Sequence, residues 1–433
     1  SDLGALRTRA VPVRDERWGE HYRISGQKIF ITYGDHDLTD NIIHMVLART
    51  PNAPPGSRGI SLFLVPKFLP DGDGKPGERN DLRPLRVEEK LGIHASPTCV
   101  MSYGDSYSHG ADGSEGGAIG WRIGEENRGL EGMFTMMNSE RLLVGVQGVA
   151  IAERAYQQAL EYARTRVQGV PAGMPRGGGP VPPIVHHPDV RRMLLSMRAA
   201  TEAMRALSYL AAAAIDASRQ VADQKTRQHA QRRADLLIPV VKAWCTDLGV
   251  EIASTGIQVH GGMGYIEETG AAQYLRDARI APIYEGTNGI QANDLVGRKL
   301  GRDGGEAARE LFAEMRPILS EIGGRAGWEP IHRGLVEGLD ALDHATAYLV
   351  EADPALAAAG SSPYLALFGT VIGGWLMARL ALAADRRTGD AGFAAAKRAT
   401  ARFYAEHFLP RAPAYLPAIE GGATVVDFDP DLL

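Results

Sequence analysis

The spacing of apolar residues divides the chain into three parts. Up to residue 124, short apolar runs and alternating apolar and polar positions lie between Pro/Gly-rich loops, which is typical of an antiparallel sheet. Strands are predicted near residues 8–14, 41–47, 60–65 and 100–103. The stretch from Tyr22 to Thr32 is predicted to be a hairpin that turns at Ser25-Gly26. The first part is therefore predicted to be a β domain.

From residue 125 to residue 300 the apolar spacing becomes helical. Two sets of residues recur at i, i+3, i+4 and i+7: Leu130, Met133, Phe134 and Met137, and Val190, Met193, Leu194 and Met197. Pro188-Asp189 is a helix-start signal before the second set. A third helix is predicted over residues 234–256, with a bend at Pro239. This part is predicted to be a helical bundle.

Residues 301–433 are helical in pattern and rich in alanine. The longest uncharged run, residues 354–378, is interrupted by Gly360 and Pro363. Ser362 as N-cap and Pro363 at the first helical position predict a buried helix instead of a membrane span. The fold class is therefore predicted as α+β, with an antiparallel β domain (1–124), a helical bundle (125–300) and an extra C-terminal helical domain (301–433).

Composition narrows the class of protein. The 433 residues exceed one ordinary core, and 44% hydrophobic and 23% charged residues are typical of globular proteins. A net charge of -5 argues against nucleic acid as a partner. The two cysteines, Cys99 and Cys245, cannot build a disulfide framework or a metal cluster, so a cytoplasmic location is expected.

Residues 284–290 (YEGTNGI) carry the candidate chemistry. Glu285 stands between an aromatic residue and a glycine, directly after the apolar residues 280–283. Burial against apolar groups raises a carboxyl pKa toward neutrality, as a general base requires. The alternative is a helix-entry carboxylate before Thr287. A second Gly-rich stretch, residues 260–265, follows a helix instead of a strand, which excludes a Rossmann turn. It is either a helix stop or a close approach to a phosphate-bearing ligand.

Six motifs occur in an order that resembles the acyl-CoA dehydrogenase family. They are residues 28–32 (KIFIT), 90–98 (KLGIHASPT), 124–130 (GEENRGL), 258–265 (QVHGGMGY), 276–278 (RDA) and 284–287 (YEGT). The helical part after residue 301 resembles the larger members with an extra C-terminal domain, a subgroup that includes 3-(methylthio)propanoyl-CoA dehydrogenases. Members of the family begin with a helical domain. We expect that domain to be absent from this chain, and the β domain to be truncated at its N-terminal side.

The resemblance implies FAD-dependent α,β-dehydrogenation of an acyl-CoA to the trans-2-enoyl-CoA, with Glu285 as the base. The acyl group is either 3-(methylthio)propanoyl or a medium or long fatty chain. The resemblance assigns FAD contacts to Ser1, Phe30, Thr32, Arg166, Gln258, Gly261, Gly262 and Thr287. It assigns acyl-CoA contacts to Ser96, Arg141, Tyr284 and Gly286. No metal ligand is expected.

The resemblance also implies partners. Arg166 and the loop from Gln258 to Gly262 match positions that reach the FAD of a neighbouring subunit, so a homodimer or homotetramer is expected. The expected electron acceptor is an electron-transfer flavoprotein. Two alternatives keep the fold: an acyl-CoA oxidase, and a DNA-damage-response flavoprotein relative that binds nucleic acid. The acidic net charge and Glu285 argue against the second alternative.

Overall fold

A computed structural model describes residues 3–105, 116–174, 179–387 and 390–432 of the chain. The chain forms two compact units, Ser1–Ser139 and Glu140–Leu433. The first is built mainly from strands and the second from helices, as the apolar spacing predicted. The predicted boundary near residue 300 stays a prediction, because one apolar core runs through the helical unit on both sides of that position.

The first unit is an antiparallel sheet in the order β3-β4-β9-β2-β8-β7, with β1 paired to β2 and a separate β5-β6 pair. The strands are β1 (Arg9–Asp15), β2 (Gly19–Thr32), β3 (Ile43–Ala48), β4 (Ser61–Pro66), β5 (Phe68–Pro70), β6 (Pro76–Arg79), β7 (Leu82–Val87), β8 (Thr98–Tyr103) and β9 (Ala118–Ile123). Alternate positions of these strands point inward and form a core around Ile24, Phe63 and Met101. The four strands predicted apart from the hairpin are confirmed to within two residues.

The predicted hairpin over residues 22–32 is wrong. Strand β2 runs without a turn through Ser25-Gly26, and the hairpin lies earlier, where Asp15 of β1 pairs with Gly19 of β2. Gly26 instead marks the place where β2 leaves β9 and begins to pair with β8. The φ of Gly26 is +135°, and a Cβ at this position would lie 3.1 Å from the Thr8 backbone. Glycine therefore allows Thr8 to pack closely against strand β2.

The second unit is dominated by long helices. They are α1 (Gly129–Thr165), which runs across the division between the units, α2 (Pro188–Gln220), α3 (Gln224–His260), α4 (Ala271–Ala278), α5 (Asn288–Asn293), a π-helical segment (Asp294–Leu300), α6 (Gly301–Asp303), α7 (Glu306–Met315), α8 (Pro317–Ile322), α9 (Glu329–Glu351), α10 (Pro354–Ala359), α11 (Ser361–Asp385), α12 (Ala391–His407), α13 (Arg411–Ala414), α14 (Leu416–Glu420) and α15 (Gly422–Val426). Helix α3 extends beyond its predicted bounds at both ends, and Pro239 lies inside it.

Helix α3 is packed closely on two sides. On one side it meets α1 through glycines, since a Cβ on Gly148 would lie 2.6 Å from the Cys245 carbonyl oxygen. On the other side its Trp244 ring lies against α11, where a Cβ on Gly369 would come within 2.3 Å of the ring. Small residues at these crossings let the helices approach each other, and they hold α3 in the middle of the unit.

Helix α11 is long and apolar enough to span a membrane, but 83% of that apolar window is buried inside the protein. It packs against α2, α3, α5, α9 and α12. The helix begins at Ser361, before the predicted start at Pro363, and its N-cap is Gly360, whose carbonyl accepts from the Tyr364 N–H at 3.1 Å. The Ser361 hydroxyl donates to the side chain of Asn293 at 2.9 Å. The C-terminal helices therefore share their core with the bundle.

Gly369→Ala is expected to lower the free energy of unfolding by about 1–3 kcal/mol, the usual cost of overpacking a close-packed core. The added methyl group would clash with the rigid ring of Trp244. Differential scanning calorimetry provides the measurement. Gly392→Ala is the matched control, because its Cβ meets nothing closer than 3.5 Å in an exposed helix turn. Equal melting temperatures for the two variants would contradict the packing argument.

Candidate active site

The loop of residues 282–288 lies between helices α4 and α5. Two hydrogen bonds give it its shape: the Asn288 backbone N–H donates to the Pro282 carbonyl at 2.9 Å, and the Ile290 N–H donates to the Thr287 hydroxyl at 3.3 Å. Thr287 is thereby the N-cap of α5, as a threonine before a helix favours. The bond from Asn288 to Pro282 closes the loop into a ring with Glu285 at its tip.

Glu285 adopts a backbone conformation that costs free energy. Its φ is +57°, a left-handed value that side chains with a Cβ rarely take, and Gly286 follows at +84°. The buried side chain of Gln291 lies beneath, donating to the carbonyls of Glu285 and Gly286 at 3.4 Å each. A Cβ on residue 286 would meet the Gln291 amide nitrogen at 2.8 Å, so this position requires glycine.

The electrostatic environment favours the protonated form of Glu285. Burial raises the pKa of this carboxyl above its ordinary value, and the nearby Glu140 raises it further. Lys242 and Arg141 act in the opposite direction, each with a smaller effect than burial. A carboxyl whose pKa is shifted toward neutrality gains a proton more readily than an exposed glutamate, which suits a group that takes a proton from carbon.

Arg141 and Tyr284 lie beside this loop with different partners. The Arg141 guanidinium is 3.6 Å from the Asp294 carboxylate, at the start of the π-helical segment. The Tyr284 hydroxyl donates a hydrogen bond to the Gln147 side chain. Arg141 and Gln147 both lie on α1. The structure therefore groups Arg141, Tyr284, Glu285, Gly286 and Thr287 in one site.

Lys242 and Asn288 belong to the same site and were not predicted from the sequence. Lys242 has 0% exposure, and its ammonium donates to the Asn288 side-chain oxygen at 2.8 Å. A signal for this lysine exists in the sequence, because it is the one charged residue in the otherwise apolar stretch 236–245 (LLIPVVKAWC). Such a charge is kept in a core only where it has a polar partner. Nothing in the sequence indicates which residue is that polar partner.

The other residues of the helical unit that were assigned to FAD lie away from this loop. Gln258, Gly261 and Gly262 are exposed at the end of α3, where Gly261 has φ +60° and leads into a 3₁₀ turn. Arg166 is exposed just after α1 ends. The Tyr162 and His260 rings stack 4.5 Å apart and bring these two helix ends together. Gly261 and Gly262 therefore follow helix α3 directly, as the sequence indicated.

In the β unit, Phe30 and Thr32 lie at the end of β2. The backbone of Phe30 is left-handed, with φ +58°, and its ring is 67% exposed. Thr32 pairs with Thr98 of β8 and lines a cavity of about 340 Å³. Ser96 lies two residues before Thr98 in the adjoining turn. Ser1 falls outside the described residues. The β unit thus brings three of its four predicted site residues to one end of the sheet.

No group of three or more His, Cys, Asp or Glu side chains suited to a metal ion occurs in the described parts of the chain.

Two family models and two curated relatives that match the chain are described as acyl-CoA or acetyl-CoA dehydrogenases. The family model "Acyl-CoA dehydrogenase, C-terminal domain" matches residues 127–300, and "Acetyl-CoA dehydrogenase C-terminal like" matches residues 311–429. The chain is 50% identical over 419 residues to 3-methylmercaptopropionyl-CoA dehydrogenase of Ruegeria pomeroyi, covering 94% of this chain and 68% of that protein. It is 37% identical over 432 residues to the broad-specificity linear acyl-CoA dehydrogenase FadE5 of Mycobacterium tuberculosis, covering 95% and 68%.

The fold is also similar to that of a solved structure, an acyl-CoA dehydrogenase complexed with FAD from Bacillus anthracis. The TM-score is 0.70 at 18% identity, with 98% of this chain and 67% of that chain covered. The chain thus spans about two thirds of the length of these relatives.

Glu285→Gln is expected to stabilise the folded protein at neutral pH. Because folding raises the pKa of Glu285, the folded state binds more protons than the unfolded state between the ordinary and the raised value. Stability therefore falls as the pH rises through this window. A neutral amide does not titrate, so the variant does not lose stability as the pH rises. Glu285→Gln should therefore be more stable than the wild type above the raised pKa of Glu285, and this difference should disappear below the ordinary carboxyl pKa.

The measurement is chemical denaturation of both proteins between about pH 4 and pH 8, a range that spans ordinary and raised carboxyl pKa values. A stability difference that does not change with pH would contradict the raised pKa of Glu285.

Proposed function

The chain belongs to the acyl-CoA dehydrogenase family, and we propose that it catalyses the FAD-dependent α,β-dehydrogenation of an acyl-CoA thioester to the trans-2-enoyl-CoA, with Glu285 as the catalytic base. The observation that supports this most is the setting of Glu285. The carboxyl has a raised pKa, stands at the tip of a ring-closed loop and is held in a left-handed backbone conformation. Such strain is found at functional sites, where the surrounding structure enforces it.

The role of Glu285 follows from its chemistry. A thioester carbonyl acidifies the hydrogen on its α carbon, and a carboxylate with a raised pKa is a stronger base toward that hydrogen than an ordinary glutamate. Partial burial, which keeps water away from the carboxylate, is the largest cause of this raised pKa. After the transfer the proton is on the Glu285 carboxyl, where Glu140 favours the neutral form.

Binding groups for the thioester lie in the same loop. Among the described residues, the Glu285 backbone N–H has no hydrogen-bond acceptor, so it is available to the carbonyl oxygen of the substrate. A donor aimed at that oxygen stabilises the negative charge that develops when the α proton leaves. Arg141 adds a half-buried positive charge beside this position. Gly286 leaves room for the thioester, because no side chain projects from it.

The residues of the chain suit a flavin. Phe30 offers an exposed ring and Thr32 an exposed hydroxyl at one end of the sheet. Arg166 offers a planar guanidinium of the kind that binds a pyrophosphate, and Gly261 and Gly262 present backbone with nothing within 4 Å of their Cβ positions. Bound FAD supplies the acceptor for the β hydride.

The proposed acyl group is 3-(methylthio)propanoyl, because the relative with 50% identity is named for that thioester. Straight fatty chains are the alternative, since the relative with 37% identity is named for broad linear specificity. The two possibilities differ in the length and in the sulfur atom of the acyl tail, and they share the same reacting carbons. A substrate panel therefore separates them without changing the proposed chemistry.

The proposed electron acceptor is an electron-transfer flavoprotein, and the proposed assembly is a homodimer or homotetramer. The electron acceptor is proposed from the family resemblance. The assembly is supported by the same resemblance and by the exposure of Arg166 and Gln258, which match positions that reach the FAD of a neighbouring subunit. A cytoplasmic location is proposed as well. It is supported by Cys99 and Cys245, which are buried free thiols of the kind found in reducing compartments.

Glu285→Gln is expected to lower turnover by about 10²- to 10⁴-fold on every acyl-CoA, because the amide keeps the shape of the side chain but cannot accept a proton. Turnover is measured with a dye acceptor on a panel that includes 3-(methylthio)propanoyl-CoA and straight-chain thioesters. The wild-type enzyme should have its highest kcat/KM on 3-(methylthio)propanoyl-CoA. The flavin absorbance of the variant should equal that of the wild type.

Glu251→Gln is the matched control for this experiment. Glu251 is another carboxyl whose pKa is raised by burial, and it lies on α3 outside the loop. This variant should keep wild-type turnover. A Glu285→Gln enzyme that keeps most of its activity would rule out Glu285 as the base, and a preference for long chains would replace the proposed acyl group.

Arg166→Ala is expected to weaken FAD retention, since the fork of its guanidinium would no longer bind the pyrophosphate. The measurement is the fraction of flavin released on gel filtration, read together with the oligomeric state. Arg164→Ala, which removes an exposed arginine from the same helix end, should behave like the wild type. Equal flavin retention in both variants would remove Arg166 from the proposed cofactor site.

A further inference from the structure

Lys242 is a fully buried cation without a direct anionic partner. Its exposure is 0%, and no carboxylate of the described residues lies within ion-pair distance of its ammonium. Burial lowers its pKa to about 8, so the side chain is still mostly charged at neutral pH. A buried charge is costly unless strong hydrogen bonds compensate for it. The contact that compensates here is with Asn288, at the end of the loop that carries Glu285.

The side chain of Asn288 is held by four groups within residues 242–247, on two successive turns of helix α3. Its oxygen accepts from the Lys242 ammonium at 2.8 Å. Its amide group donates to the Asp247 carboxylate at 2.7 Å, to the Thr246 hydroxyl at 3.0 Å and to the Ala243 carbonyl at 3.1 Å. An amide with partners at both its oxygen and its nitrogen has a single favourable orientation. We call this set the α3 clamp.

The α3 clamp acts directly on the loop. Asn288 is also the residue whose backbone N–H closes the loop onto Pro282. Fixing Asn288 on α3 therefore fixes one end of a ring whose tip is Glu285. On the other side Gln291 supports the tip from below with two hydrogen bonds, at 3.4 Å. These bonds are long, so the shorter contacts of the α3 clamp contribute more to the position of the loop.

We propose that Lys242 is a positioning residue for the base: through Asn288, its ammonium holds the 282–288 loop on helix α3 and keeps Glu285 in its left-handed conformation. The left-handed backbone at position 285 costs free energy, so the loop would relax without an external constraint. A charged donor makes a stronger hydrogen bond than a neutral one, which explains why a lysine occupies this buried position. The catalytic part of this inference rests on the proposed function of Glu285.

The charge of Lys242 has a second consequence. The groups that face Glu285 are Glu140 and Arg141 from α1 and Lys242 from α3, and Tyr284 adjoins it in the loop. Lys242 itself is also close to Asp247. The positive charge of Lys242 favours the Glu285 carboxylate and so opposes the rise of its pKa. Removing this charge should therefore raise the pKa of Glu285 further.

The first test measures the loop itself and needs no substrate. Lys242→Met keeps the apolar stem of the side chain and removes the ammonium. Amide hydrogen exchange of Asn288 should become about ten- to a hundredfold faster, the factor expected from the loss of a hydrogen bond to a charged group. Lys299→Met is the matched control, because Lys299 is another lysine whose pKa burial lowers, and it lies outside the α3 clamp. It should leave this exchange rate unchanged.

The second test uses the flavin-loaded enzyme. Lys242→Met should lower kcat by about 10- to 100-fold, the order of loss that follows from a small misplacement of a reacting group. KM should change less than kcat, because the displaced groups, the carboxyl and the backbone N–H of Glu285, act mainly on the charge that develops in the transition state. The acidic limb of the pH profile of kcat should move to higher pH, since the base must lose its proton and its pKa has risen. A variant that is merely less stable would not move this limb.

Asn288→Ala provides a second route if the lysine variant folds poorly, because residue 288 is at the half-buried start of a short helix. The two single variants and the double variant form a cycle. Because Lys242 acts through Asn288, the double variant should show the same exchange and kcat as Asn288→Ala alone. Additive effects, or wild-type exchange at Asn288 in Lys242→Met, would overturn the proposal. If Glu285→Gln kept its activity while amide exchange at Asn288 still rose in Lys242→Met, the assignment of Glu285 as the base would fail and the α3 clamp would stand.

Discussion

The attachment of Asn288 to helix α3 is the constraint on which the candidate site depends. One amide side chain is bonded at both its oxygen and its nitrogen to two successive turns of α3, and the same residue closes the loop that carries Glu285. The left-handed backbone of Glu285 is tolerated because the surroundings leave the loop no relaxed alternative. The position of the carboxyl therefore depends on how firmly α3 itself is held.

Helix α3 is held from both sides. Glycines of α1 allow backbone contact near Cys245, and α11 brings Gly369 against the Trp244 ring. Helix α11 belongs to the C-terminal part of the chain, which carries no evident chemical motif of its own. Its packing against α3 and α5 gives this part a physical role. It completes the apolar core around the two helices between which the site is built, and the Ser361–Asn293 hydrogen bond extends that support to the end of α5.

The charges of the site form a balanced set. Burial and Glu140 raise the pKa of Glu285, whereas Lys242 and Arg141 lower it. Each of the two cations has a further polar contact, Lys242 with Asn288 and Arg141 with Asp294. A base needs a pKa near the working pH, neither that of an exposed carboxylate nor that of a fully buried one. Burial raises the pKa of Glu285, and the positive charges placed nearby without direct pairing oppose that rise.

The sequence by itself determined the division into strand and helical parts, the position of Glu285 and the family, because these depend on local apolar spacing and on short contiguous motifs. It was misleading at Ser25-Gly26, where a local turn signal occurs in a strand that continues because β8 and β9 pair with it. It also could not identify the role of Lys242. The partner of that lysine is 46 residues away in the chain, and only the packing of α5 against α3 brings the two side chains within hydrogen-bond distance. Hydrogen bonds between distant segments leave no periodic trace in a sequence, so the residues that position the base were decided by the tertiary structure alone.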